Sequence, residues 1–116
     1  MTLRKATKII DSYTKEIEKE LKKRREKFEK KGWNQDMIQK YVEIPHIEFY
    51  DAHKDRIGSF TIEFEEEKIR KIFDNGEVWV DEETGEKYPH AIIGSAEEAR
   101  YIIENFLSQS KKYEII

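Results

Sequence analysis

The feature that most constrains the fold is a periodic apolar stripe over the first thirty residues. Apolar side chains recur there at steps of three, four or seven residues: Leu3, Ala6, Ile10, Tyr13, Ile17, Leu21 and Phe28. This spacing places them on one face of an α-helix, so the sequence predicts a helix over about residues 3–31. Gly32 stands where a glycine commonly ends a helix, and Lys30 and Lys31 suit the negative end of the helix dipole.

The chain has 116 residues, which is the size of one domain. The predicted helix is long for such a chain. At about 1.5 Å per residue, about 29 helical residues extend about 43 Å, whereas a compact domain of this size has a radius of gyration of about 13 Å. The apolar stripe is also interrupted after Leu21, where Arg24 and Arg25 occupy its next position. The helix must therefore either overhang its own body or bend. We expect its end to leave the body, where it meets solvent, a partner or a second copy.

Charge is divided along the chain. Residues 1–31 contain 12 Lys and Arg against 6 Asp and Glu, whereas residues 32–116 contain 10 against 19. The sequence thus predicts a single domain, 1–116, with a long basic helix (1–31) and an acidic α+β body (32–116). The cationic excess is concentrated in seven candidate binding residues: Lys22, Lys23, Arg24, Arg25, Lys27, Lys30 and Lys31. Such a density of cations can neutralise several nucleic-acid phosphates.

Composition limits the chemistry and the compartment. The absence of cysteine excludes disulfides, thiol nucleophiles and Cys-based zinc sites. No stretch approaches the ~20 apolar residues of a membrane span, so we expect no membrane contact and a cytoplasmic protein. Isoleucine outnumbers leucine 16 to 3, lysine outnumbers arginine 16 to 6, and Asn and Gln number 3 each. Abundant Lys and Glu with few Asn and Gln are typical of thermophiles, whereas the Ile and Lys preference would also follow from an AT-rich genome. We expect a thermophilic archaeon or its virus, with the host cytoplasm as the location if viral.

The first part of the body alternates between a short helix and strands. Asn34 is suited to cap a helix of about residues 35–42, and Pro45 prevents its continuation. Apolar and polar side chains then alternate over residues 44–51 and again over residues 60–64. Both stretches are typical of half-buried strands.

Residues 65–73 fit two structures. Their acidic start and later cations suit a helix, whereas the following Asn75-Gly76 dipeptide is a strong hairpin signal. We favour a strand over residues 68–73, paired through that turn with residues 78–80.

The end of the chain carries the clearest helix signal. A strand is predicted over residues 87–93, with Pro89 suggesting an edge or a bulge. Ser95 and Glu98 form the pattern of a capping box, and residues 113–116 suit a short strand. The predicted fold class is α+β: a long N-terminal helix, an antiparallel meander of four or five strands, and a C-terminal helix packed on one sheet face.

A cluster of histidines and carboxylates lies near the first strand. Its members fall within ten residues: His46, Glu48, Asp51, His53 and Asp55. His46, Glu48 and Tyr50 would share one strand face, with His90 as a distant third ligand. A metal site needs three or four ligands, and solvated strand and loop residues explain the pattern without a metal. We therefore predict no metal and no cofactor.

One arrangement resembles an enzyme family. Asp51 at the end of one strand, with Glu66, Glu67 and Lys68 after the next, resembles the Asp…Glu-x-Lys arrangement of restriction-like nucleases. In that family the Glu and Lys lie inside a strand beside the Asp, where they hold a metal ion and the attacking water. The resemblance implies a metal-dependent nuclease, whereas a charged turn is the alternative.

Taken together, the sequence predicts a small binding protein that is not an enzyme. Its basic helix end could contact nucleic acid, or it could be the solvated surface of a thermophilic helix. The near-heptad positions Leu3, Ile10 and Ile17 predict a homodimer. The acidic runs Glu65–Glu67 and Asp81–Glu83, with Glu97 and Glu98, suit an alternative role as an inhibitor or adaptor of another protein.

Overall fold

The computed structural model describes residues 1–88 and 90–116. Within them the helices, strands and a short 3₁₀ helix follow in this order: α1 (Leu3–Lys30), α2 (Gln35–Tyr41), β1 (Ile47–Tyr50), β2 (Arg56–Glu65), β3 (Lys68–Asp74), β4 (Trp79–Val80), β5 (Lys87–Tyr88), β6 (Ala91–Ile92), α3 (Ala96–Asn105), the 3₁₀ helix (Leu107–Gln109) and β7 (Lys112–Ile115). The predicted α+β class is confirmed. Among the described residues, none of the helices has the length and apolar character needed to cross a membrane.

Five strands form one antiparallel sheet in the order β6-β3-β2-β1-β7. The pairing register aligns Ile47, Phe60, Phe73 and Ala91 across four neighbouring strands, and all four side chains are buried. They join the inward faces of α1 and α3 in one hydrophobic cluster. Both helices therefore cover the same face of the sheet, and the opposite face carries mostly polar side chains.

Helix α1 buries the predicted apolar stripe against this sheet. Ala6, Ile10, Ile17 and Leu21 are at most 3% exposed, and Lys71 of β3 holds the helix by an ion pair of 2.9 Å with Asp11. The helix has 28 residues, or about 42 Å at ~1.5 Å each, and the longest dimension of the molecule is 45 Å. It therefore spans the molecule from end to end.

The prediction that the helix leaves the body after Leu21 was wrong. The chain turns back at Gly32, and α2 packs against α1 with Ile38 only 1% exposed. The predicted N-cap forms, because the Asn34 side chain accepts a hydrogen bond of 2.9 Å from the Met37 N–H. The basic end of α1 is therefore one wall of a folded corner and not a bare extension.

The predicted Asn75-Gly76 hairpin was also wrong, although residues 68–74 do form a strand. Strand β3 pairs with β2 over seven residue pairs, through a tight turn at Glu66 and Glu67, and its other neighbour is β6. The other edge of β3, which the predicted hairpin would have used, is occupied by β6, where Phe73 lies opposite Ala91 and Ile72 opposite Ile92. β4 pairs instead with β5 in a separate two-stranded ribbon.

Other predicted features of the C-terminal part are confirmed. The Ser95 hydroxyl accepts a hydrogen bond of 3.2 Å from the Glu98 N–H at the start of α3. The C-terminal residues add strand β7 to the edge of the sheet, beside β1. The strand predicted over residues 87–93 is divided into β5 and β6, which belong to different sheets. The prediction for Pro89 lies outside the described residues.

Candidate nucleic-acid interface

The seven candidate cations at the end of α1 point to different sides of the helix. Arg24, Lys27 and Lys31 recur at steps of three and four residues, so they share one helix face, and all three line a groove. The other four are exposed and do not line this groove: Lys22, Lys23, Arg25 and Lys30. The structure thus selects three of the seven as a connected group.

The groove has a volume of about 490 Å³. It lies between the end of α1, the end of α2 and the segment that enters β1. Its lining comprises Arg24, Lys27, Phe28, Lys31, Tyr41, Val42, Glu43, Ile44, His46 and Ile116. Cationic and apolar side chains therefore share one concave surface.

A specific helix ending builds this corner. The Trp33 N–H donates to the Phe28 carbonyl at 3.1 Å, and the Gly32 N–H donates to the Glu29 carbonyl at 3.0 Å. These two bonds form a Schellman motif, which requires a left-handed residue, and Gly32 adopts φ of 84°. The motif places the side chain of Trp33 against Phe28, where the ring centroids are 4.6 Å apart.

The aromatic side chains continue from α1 to α2. The Trp33 ring meets the Tyr41 ring edge-on, with centroids 5.9 Å apart, and Tyr41 is 56% exposed. The Lys31 ammonium lies 5.9 Å from the centroid of Phe28, and the Lys40 ammonium lies 5.4 Å from that of Tyr41. Positive charges and aromatic rings therefore lie side by side at this corner, and Lys31, Phe28 and Tyr41 among them line the groove. Nucleic-acid surfaces use this combination for phosphates and bases.

The three groove cations differ in how tightly they are held. Arg24 donates to the Glu20 carboxylate at 3.4 Å and to the Glu43 backbone carbonyl at 3.2 Å, so it ties α1 to the segment before β1. Within residues 1–88 and 90–116, Lys27 and Lys31 form no ion pair. Arg24 therefore shapes the groove, and the two lysines can offer their charge to a ligand.

A polar cluster adjoins the groove at His46. As predicted, His46, Glu48 and Tyr50 share one face of β1. Glu48 accepts a hydrogen bond of 2.6 Å from the Tyr50 hydroxyl, lies 3.3 Å from the His46 ring, and is 3.7 Å from the Arg56 guanidinium. These contacts lower the pKa of Glu48, mainly through the Tyr50 hydrogen bond, and that bond raises the pKa of Tyr50. Because its partners occupy both oxygens, we assign Glu48 a structural role.

The remaining members of the predicted histidine and carboxylate cluster shape a turn. The Asp51 carboxylate accepts hydrogen bonds from the backbone N–H groups of His53 and Asp55, at 2.8 and 3.0 Å. In the described part of the chain, no three His, Asp or Glu side chains are grouped so that they could hold a metal ion.

The arrangement that resembles restriction-like nucleases is not assembled. Asp51 precedes β2 and Glu66 follows it, so the ten residues of this strand separate them by about 30 Å. Glu65, at the end of β2, pairs instead with Arg70 at 2.6 Å and with Lys68 at 3.8 Å. Asp51 and the acidic turn therefore cannot contact one metal ion.

Sequence reasoning identified the cations but missed the aromatic part of the site. Phe28 was recognised as part of the apolar stripe of α1, but the sequence pattern assigned no binding role to Trp33 or Tyr41. A usable signal was present, because Phe28 and Trp33 interrupt the lysine-rich stretch at the helix end. Interleaved basic and aromatic residues are the pattern of single-strand binding surfaces.

Comparisons of the chain with models of known protein families, with curated proteins and with solved structures found no match. The function is therefore inferred from the geometry of the chain itself.

Proposed function

We propose that this protein is a non-enzymatic binding protein that contacts single-stranded nucleic acid through the groove at the end of α1. The observation that supports the proposal is that two lysines and two aromatic rings line the same groove, with Lys27 and Lys31 free of ion pairs among the described residues. The lysines would neutralise backbone phosphates, and the exposed ring of Tyr41 would stack on a base.

A single strand fits this surface better than a duplex. The bases of a duplex are stacked on each other, whereas an unpaired base presents its face to an aromatic side chain. The acidic body would repel phosphates elsewhere, since residues 32–116 hold 19 acidic against 10 basic side chains. Charge repulsion would therefore direct the strand to the basic corner.

We propose the cytoplasm of a thermophilic archaeon, or of the host of an archaeal virus, as the setting. The support is compositional: the chain lacks cysteine and is rich in lysine, glutamate and isoleucine.

The first test changes charge on two faces of the same helix end. Lys27→Glu with Lys31→Glu removes the groove lysines, and Lys22→Glu with Arg25→Glu is the matched control, with the same change in net charge outside the groove. Binding to a fluorescent single strand of about 12 nucleotides would be measured by anisotropy at salt concentrations from about 50 to 200 mM.

We expect the groove variant to bind about tenfold more weakly and to lower the salt slope of log K by about 1.4, since each lost phosphate contact removes about 0.7. The control should retain most of the affinity. Equal losses in the two variants would contradict the assigned face, and no salt-sensitive binding by the wild type would overturn the proposal.

The second test addresses stacking. Tyr41→Ala removes an exposed ring and should weaken binding by about 1–3 kcal/mol, whereas Tyr41→Phe keeps the ring and should bind like the wild type. An unchanged affinity of Tyr41→Ala would show that binding depends on charge and not on stacking. The proposal that the ligand is a single strand would then be wrong.

A further inference from the structure

A second concave site lies at the opposite edge of the sheet, between the β4–β5 ribbon, β6 and the start of α3. Its volume is about 660 Å³. The lining residues are Trp79, Val80, Asp81, Glu82, Tyr88, His90, Ala91, Ile92, Glu97, Glu98, Tyr101 and Ile102. Among these described residues there are three aromatic rings and four carboxylates, but no lysine or arginine.

Aromatic rings form one corner of this cavity. The rings of Trp79 and Tyr101 are nearly perpendicular, at 85°, with centroids 6.0 Å apart. Phe106 packs behind them, with its centroid 5.9 Å from that of Trp79, and Tyr88 is the cross-strand partner of Trp79. Trp79, Tyr88 and Tyr101 line the cavity, and the faces of aromatic rings attract organic cations through their negative potential.

The four carboxylates come from two elements and have different roles. Asp81 accepts hydrogen bonds from backbone N–H groups of its own turn, and Glu98 is bonded to Ser95 in the capping box, so both have structural partners. Glu82 and Glu97 are exposed and have no ion pair or side-chain hydrogen bond among the described residues. Two negative charges from separate elements therefore remain uncompensated at an aromatic cavity.

We propose that this cavity binds a linear polyamine, that is, a flexible molecule with several ammonium groups. A volume of about 660 Å³ exceeds what one ammonium group needs and lies in the range of small-molecule sites. Ammonium groups would pair with Glu82 and Glu97, and the intervening methylene groups would lie against Trp79 and Tyr101. Charge complementarity selects a cation, and the apolar walls select an organic one.

This site is independent of the proposed nucleic-acid groove. The two cavities have no lining residue in common, so variants of one leave the other intact. Because polyamines also bind nucleic acids directly, binding must be measured with the protein free of nucleic acid.

The test is calorimetric titration of the full chain with spermidine. Glu82→Gln with Glu97→Gln should weaken binding about tenfold, because both paired charges are lost. The matched control is Glu66→Gln with Glu67→Gln, which removes two exposed carboxylates from the distant β2–β3 turn, and it should change the affinity less than about twofold. Equal weakening in both variants, or no saturable binding by the wild type, would overturn the proposal.

A second arm tests the aromatic wall. Tyr101→Leu should weaken spermidine binding several-fold and Tyr101→Phe should retain it, since the attraction depends on the ring and not on the hydroxyl. Thermal melts of each variant would verify that the fold persists. Mg²⁺, added at the same concentration of positive charge, should not displace spermidine. Full displacement by Mg²⁺ would show that the site attracts any cation through its carboxylates alone, and it would overturn the assignment.

Discussion

At the residue scale, Glu48 shows how side chains on the polar face of the sheet are held together. Its Oε2 accepts the Tyr50 hydroxyl, and its Oε1 lies near both His46 and Arg56. The pKa of Glu48 is lowered from its ordinary value of 4.5, first by the Tyr50 hydrogen bond and then by His46 and Arg56. The fold thus stabilises the ionised carboxylate.

A pH dependence of stability follows from this lowered pKa. The stabilisation is present above the unfolded-state pKa and is lost as the pH falls through the folded-state pKa. The difference in unfolding free energy between wild type and Glu48→Gln should therefore be largest near neutral pH and shrink as the pH falls below 4.5, as measured by urea denaturation. Glu67→Gln, in an exposed turn, is the control and should show little difference at any pH. A difference for Glu48→Gln that does not vary with pH would contradict the assignment.

At the element scale, the ring proposed to stack on a base belongs to α2, which is shorter than α1 and α3. Its seven residues are too few to be stable alone. It depends on the Asn34 cap and on the buried Ile38 side chain, and these contacts hold Tyr41 beside Trp33. Loss of the cap should therefore affect the groove before it affects the sheet.

Two N-cap substitutions test this dependence. Asn34→Ala removes the cap of α2 and Ser95→Ala removes the cap of α3, and each should cost about 1 kcal/mol of helix stability. Only Asn34→Ala should weaken binding of the single strand, because only α2 positions the Tyr41 ring. Stability would be measured by denaturation and binding by anisotropy. If Ser95→Ala weakened binding as much, general destabilisation would explain the loss.

At the scale of the whole molecule, opposite charges occupy opposite edges of the sheet. The basic groove adjoins β1 and β7, and the acidic cavity adjoins β6. The homodimer stays a prediction, but the near-heptad stripe of α1 no longer supports it. Ile10 and Ile17 of the near-heptad stripe are at most 1% exposed within the monomer, so they cannot form a coiled coil.

The thermophile prediction belongs to this scale because it concerns the sum of many charged contacts. Charged residues make up 41% of the chain, and some form small networks, such as Glu65 with Lys68 and Arg70. Such networks gain importance at high temperature. We expect a single thermal transition above about 65 °C by calorimetry, and a midpoint below about 60 °C would contradict the prediction.

Local signals were sufficient for much of the fold. The stripe of α1, the Asn34 and Ser95 caps and the alternation in β2 each depend on residues close in the chain, so the sequence predicted these elements correctly. The hairpin error had the opposite origin. Asn75-Gly76 is a strong local turn signal, yet the edge of β3 that the hairpin would use pairs with β6, a strand about twenty residues later in the chain.

By itself, the sequence determined the α+β class, the long basic helix and the division of charge, because periodicity and composition are properties of the chain alone. Only the tertiary structure decided which cations lie in one groove and which aromatic rings lie beside them. Trp33 meets Phe28 because Gly32 reverses the chain, and Tyr41 joins them because α2 packs back on α1. Binding surfaces depend on such contacts between elements, and no local pattern specifies them in advance.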